Sequence, residues 1–168
     1  MTKDFVYLDW LRDAHAMEKH AEAMLQGAAL RLDDFPLLKA RIEQYRHQTQ
    51  QQHQQVKDVL KRYDTNWSAL KDALGRMSAV GQAASDMLRD EEGVRIAVSS
   101  YVFCNYKVAT YTALLAAAQQ AEDSKGVKTF QRILQQETQM ADWLLTQLPD
   151  VANEAIMHRT EADISSAI

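Results

Sequence analysis

Four long stretches of this sequence repeat apolar residues in alternating steps of three and four, and that spacing leaves little choice but a helical bundle. Residues three and four apart fall on one side of an α-helix, so each stretch predicts a helix with one face to bury. The first runs from about Asp4 to Leu32, with the seam Leu11, Ala14, Glu18, Ala21, Leu25, Ala28 and Leu32. The second runs to about Tyr63, with Leu38, Ile42, Tyr45, Thr49, Gln52, Val56, Val59 and Tyr63. Before it, Asp34 reads as the N-cap and Pro36 suits the first turn. A third long stretch, Glu92 to about Ala121, carries Ala97, Tyr101, Cys104, Val108, Tyr111, Leu115 and Ala118. The last follows Ser124 with Phe130, Leu134, Glu137, Ala141, Leu144 and Leu148, and is expected to stop at Pro149. Between the two pairs, a shorter helix is expected after Asn66 and Ser68, with Leu70, Leu74, Met77 and Ala84, ending near Arg89-Asp90.

At 1.5 Å per residue, helices of about 23–30 residues are roughly 35–45 Å long. Only five glycines and two prolines occur, which disfavours a turn-rich β fold. The expected fold is therefore all-α: a four-helix bundle of two hairpins joined by a helical crossover. One domain should span 1–168, with a helical core at about 4–148 and a loose tail at about 150–168. Gln48 to Gln55 is glutamine-rich but keeps the helical pattern, so it reads as polar helix surface.

The formal charge of -4, with no face dominated by Lys or Arg, argues against a nucleic-acid or anionic-membrane partner. Cys104 stands alone, so an intrachain disulfide is excluded and a reducing compartment is expected. No run of about 18 uncharged apolar residues occurs, so no membrane span is expected. The first residues lead into an amphipathic stretch and not a signal-type apolar core. A cytoplasmic location follows as the expectation.

The informative residues are charges that seams normally exclude, since burying an unpaired ion costs several kcal/mol. Glu18 and Glu137 occupy seam positions, and Lys107 is the only charged residue between Ile96 and Ala121. Glu18, Gln48, Lys107 and Glu137 all fall near the middle of their helices, and in an antiparallel bundle the midpoints meet at one level. A shared buried cluster of these four residues is expected. The competing expectation is that each long side chain snorkels to solvent.

Three runs carry a family resemblance. They are Asp9-Trp10-Leu11-Arg12-Asp13-Ala14-His15-Ala16-Met17-Glu18-Lys19, Tyr101-Val102-Phe103 with Tyr111-Thr112-Ala113-Leu114-Leu115-Ala116-Ala117-Ala118, and Gln139-Met140-Ala141-Asp142-Trp143-Leu144. Over nearly the whole chain they resemble the YciE branch of the YciE/YciF family. The resemblance implies a ferritin-like bundle close to rubrerythrins in architecture, a homodimer and a stress-associated role.

Ferritin-like bundles that hold two irons use carboxylates from all four helices together with Glu-x-x-His pairs. None of the five histidines here lies three residues after a glutamate. Glu43 and His47 are four apart with a register leaning off the seam, His15 precedes Glu18 by three, and His20, His53 and His158 give no metal signal. Against the family pattern, Glu18 and Glu137 match its acids. Gln48, Cys104, Lys107 and Gln136 stand where acids are usual. Each of these changes removes negative charge that metal cations need, and a protonated lysine cannot act as a ligand.

The expectation is thus a degenerate di-iron site with no cofactor, in which the Lys107 ammonium bridges Glu18 and Glu137 and Gln48 completes the hydrogen bonding. The protein would act as a non-catalytic dimeric scaffold or binding protein, with Trp10 and Trp143 as candidate dimer contacts. The alternative is a di-metal oxidase or peroxidase holding iron or manganese on Glu18, Glu22, His15 and Glu137. A storage shell lacks any sequence support. A reactive Lys107 amine or Cys104 thiol lacks a neighbouring base or visible cleft.

Overall fold

The computed structural model describes residues 3–63 and 91–167. Within them lie four helices: α1 (Lys3–Ala29), α2 (Pro36–Lys61), α3 (Glu92–Gln120) and α4 (Ser124–Ser166). The fourth sequence stretch is therefore α4, and the expected short helix after Asn66 and Ser68 falls outside the described residues.

The seams bury as their spacing requires. Tyr7, Leu11, Ala14, Ala21 and Leu25 of α1 are fully enclosed, as are Ile42 and Val56 of α2, Tyr111 and Ala118 of α3, and Phe130, Ile133 and Leu144 of α4. Each large apolar side chain buried this way contributes about 1.5–3 kcal/mol. The α1–α2 and α3–α4 hairpins pack side by side, with α1 against α3 and α2 against α4. Two apolar clusters result. One, around Leu25, Leu32, Phe35, Ile96 and Leu144, fills the end where α1 turns into α2. The other, around Tyr7, Leu60, Ala118 and Phe130, fills the opposite end.

The termini of the helices are set by local chemistry. Phe35, not Asp34, is the N-cap of α2; Pro36 occupies the first turn and holds the residue before it extended, at φ −128° and ψ 69°. Phe35 is buried, and its ring lies where a Cβ on Gly93 would come within 2.6 Å of it, so a larger residue in the first turn of α3 would have to displace the ring. At the other end, Glu122 takes the left-handed backbone (φ 56°) that closes α3. Asp123 then caps α4 by accepting the Gly126 N–H at 2.9 Å. The Asp123 carboxylate also accepts from the Tyr7 hydroxyl at 2.7 Å and from Nη1 and Nη2 of Arg62 at 2.9 Å, tying three helices together.

Pro149 does not end the last helix. α4 continues through it to Ser166, so the segment expected to be a loose tail is helical. Proline removes one backbone donor and exposes the carbonyl four residues back. Here that carbonyl belongs to Leu145, and both Pro149 and Leu145 are on the exposed side of the helix, where water can satisfy it. Val151 and Ala155 on the opposite side are buried in the cluster around Phe35 and hold the helix in register. His158 meets the Phe35 ring edge-on, and Arg159 pairs with Glu91 at 2.9 Å. Among the described residues no helix is long and apolar enough to cross a membrane.

Candidate functional site: a buried lysine between two carboxylates

Midway along the bundle the apolar core gives way to a polar layer to which every helix contributes. Glu18, Gln52, Lys107 and Glu137 are all completely buried. The Lys107 ammonium lies at the centre: Nζ donates to Gln52 Oε1 at 2.6 Å and to Glu137 Oε1 at 2.7 Å, and pairs with Glu18 Oε2 at 3.0 Å. Two of its N–H groups are thus hydrogen-bonded, and the contact with Glu18 is an ion pair. The remaining carboxylate oxygens are taken by tyrosines. Tyr45 donates to Glu137 Oε2 and Tyr111 to Glu18 Oε1, each at 2.5 Å. Cys104 donates to the Tyr45 oxygen at 3.3 Å, and the Lys107 nitrogen lies 5.4 Å from the centre of the Tyr45 ring. Gln52 passes the network outward, donating to Gln136 at 2.9 Å.

The electrostatics follow from burial and these neighbours. Burial alone would disfavour the charge on Lys107, but Glu137 and Glu18 outweigh it and hold the amine above its ordinary pKa. For Glu18 burial wins: its carboxyl is pushed up, although Lys107 and the Tyr111 hydroxyl pull it down. Burial and the adjacent carboxylates raise Tyr45 and Tyr111 well above the usual phenol range, so both are protonated donors. Cys104 is likewise driven upward, by burial first and Glu137 second, which makes it an inert thiol. One ammonium against two carboxylates leaves one surplus negative charge, and Glu18 is the carboxyl whose protonation the surroundings favour.

The structure brings Glu18, Lys107 and Glu137 together and leaves Gln48 out. Gln48 is half-buried and lines a small cleft with Arg41, Gln44, Tyr45 and Met140; Gln52, one turn on, takes the place expected for it. The signal for Gln52 was present, since Gln52, Tyr45, Cys104 and Tyr111 all belong to the seams. His15 and Glu22 also part from Glu18. Their positions are rotated about 40–60° from it around α1, toward α2. Glu22 there accepts from Gln50 at 3.0 Å, and His15 meets His53 at 2.9 Å. The set Glu18, Glu22, His15 and Glu137 therefore does not converge on one point. His47 is exposed and contacts Gln50 at 3.3 Å, in keeping with its off-seam register.

A di-metal centre does not fit this layer. Two carboxylates are available where four or more are needed, all four of their oxygens have partners, and a cation already sits between them. Among the described residues, no three His, Cys, Asp or Glu side chains are grouped so as to hold a metal ion.

The architecture defines a class, the ferritin-like four-helix bundles. It superposes on the Escherichia coli stress protein YciF with a TM-score of 0.76 at 16% identity, over 91% of this chain and 98% of that one. YcfI of Rhodopseudomonas palustris matches with a TM-score of 0.69 at 19% identity, over 87% and 94% of the two chains. A protein of Xanthomonas campestris is 30% identical over 95% of this chain and 99% of that one, with a TM-score of 0.78. The chain belongs to the family described as domain of unknown function DUF892, whose model matches residues 2–157.

Proposed function

We propose that this protein is a stress-associated ferritin-like bundle of the YciE type whose metal site is degenerate, and that it acts as a non-catalytic dimeric scaffold or binding protein. The observation that carries this reading is the Lys107 ammonium, which lies between Glu18 and Glu137, hydrogen-bonded to Gln52 and Glu137 and ion-paired with Glu18. A fixed ammonium supplies the positive charge that holds four helices around two buried acids, with no need for a metal supply. The description of YciF as a stress protein supports the stress association. Of the two candidate dimer contacts, Trp10 is 42% exposed, and Phe5 on the same helix is exposed too. Trp143 instead is part-buried, with the Arg41 guanidinium 5.3 Å from its ring centre. A second copy docking on α1 is the assembly this favours.

The deciding measurement is elemental analysis of the protein purified after growth with added iron and manganese. Far less than one ion of either metal per chain is expected. Stoichiometric iron or manganese that disappears in Glu137→Ala would overturn the reading and restore a di-metal oxidase.

A further inference from the structure

The α1–α2 face carries a second polar group that the buried layer does not use. His15 and His53 turn their Nε2 atoms toward each other at 2.9 Å, with ring centres 4.5 Å apart and planes inclined at 59°. Behind His53, its Nδ1 lies 3.4 Å from Glu22 Oε2, and Gln50 holds the other oxygen of that carboxylate at 3.0 Å. A carboxylate behind one ring nitrogen keeps the proton there and leaves the lone pair on the other. For His53 that lone pair is on Nε2, facing His15. The separation also matters. Two nitrogens bound at about 2.0–2.1 Å and about 90° apart around one ion lie roughly 2.9 Å from each other.

We propose that His15 and His53 form a two-histidine site for a nitrogen-seeking divalent transition metal, with Cu(II) preferred over Ni(II) and Zn(II), and with Glu22 orienting His53. The ion displaces the hydrogen bond between the rings. His15 then carries its proton on Nδ1, so two neutral imidazoles bind without net loss of a proton, and water fills the other positions. The order of metals follows the general affinity series for imidazole ligands. Access is from one side: His15 is 8% exposed, while the side chains of His53 and Glu22 are 21% and 33% exposed. Lys57 and Lys19 also act on the His15 ring. The same two lysines repel any arriving cation, and the imidazole nitrogens are what favour copper over hard iron(II) or manganese.

Titration of the full chain with Cu(II) alone tests this, read by calorimetry and by electron paramagnetic resonance. One Cu(II) per chain with a two-nitrogen signature is expected. His53→Asn should weaken binding by at least tenfold, and Glu22→Gln by about tenfold, the usual effect of losing such a supporting carboxylate. His47→Asn, at an exposed histidine elsewhere, should leave it unchanged. Absence of Cu(II) binding, or equal binding in wild type and folded His53→Asn, overturns the proposal. Should His53→Asn misfold, the unaltered protein decides: Cu(II) must slow chemical acylation of the His53 ring, and an unchanged rate of acylation overturns the site.

Discussion

Among the described residues, buried acids and their cations lie in two places in the bundle, and they work by different physics. At the middle, Lys107, Glu18 and Glu137 are sealed from water and are stable only as a complete set. At the end, Asp123 is sealed while its partner Arg62 remains about one-third exposed. Removing a fully desolvated partner strands a buried charge, whereas removing a rim partner lets water replace it. The middle cluster therefore specifies which helices face one another. The end cluster fastens a helix start to two neighbours.

The sharpest way to break this comparison is Lys107→Met, which leaves two acids with no cation. A loss of about 3–5 kcal/mol is expected from chemical denaturation, and unchanged stability would mean that Lys107 neutralises nothing. Glu18→Gln should cost distinctly less. The amide can still bond Tyr111 and Lys107, and it removes a carboxylate whose charge burial disfavours, and Glu137 further so. A Glu18→Gln protein as unstable as Lys107→Met would refute that assignment of the surplus charge.

Asp123→Ala at the end cluster should cost about 0.5–2 kcal/mol, the range for losing a helix cap. Its pH dependence separates it from the core. Burial pushes the Asp123 carboxyl up, but Arg62, the Gly126 N–H and Tyr7 outweigh burial and bring it down to about 2. A carboxyl depressed in the folded state contributes its full stability above the ordinary value near 4 and loses it as pH falls toward 2. Acid titration of unfolding should show this slope in the wild type and lack it in Asp123→Ala. The smallest effect belongs to the surface. Lys39 and Asp33 are paired at 2.5 Å with the aspartate largely exposed, and Lys39→Ala should leave the melting temperature within error.

Legibility in the sequence followed the periodicity. α2 and α3 begin and end within two residues of where their seams place them, and Glu18, Lys107 and Glu137 meet because all three occupy inward positions. Mid-helix position and the family pattern point to Gln48 and the seam to Gln52, and the seam marks the side chain that reaches Lys107. Pro149 reads as a stop because the rule for proline is local. Burial of Val151 and Ala155 on the opposite face is not local, and it prevails.

The amino-acid order by itself determined that four amphipathic helices form and that a lysine and two glutamates point into their core. A repeat of three and four is a property of each segment alone, and burial of its stripe follows wherever the partner lies. Only the tertiary structure decided what those charges touch. A seam places a side chain on a face to within tens of degrees, but a hydrogen bond needs a partner within about 3 Å. Tyr45, Tyr111 and Gln52 come from other helices, and so does the His53 that draws His15 and Glu22 away from Glu18. Their meeting depends on how far each helix slides and turns against its neighbours, and no single segment encodes that.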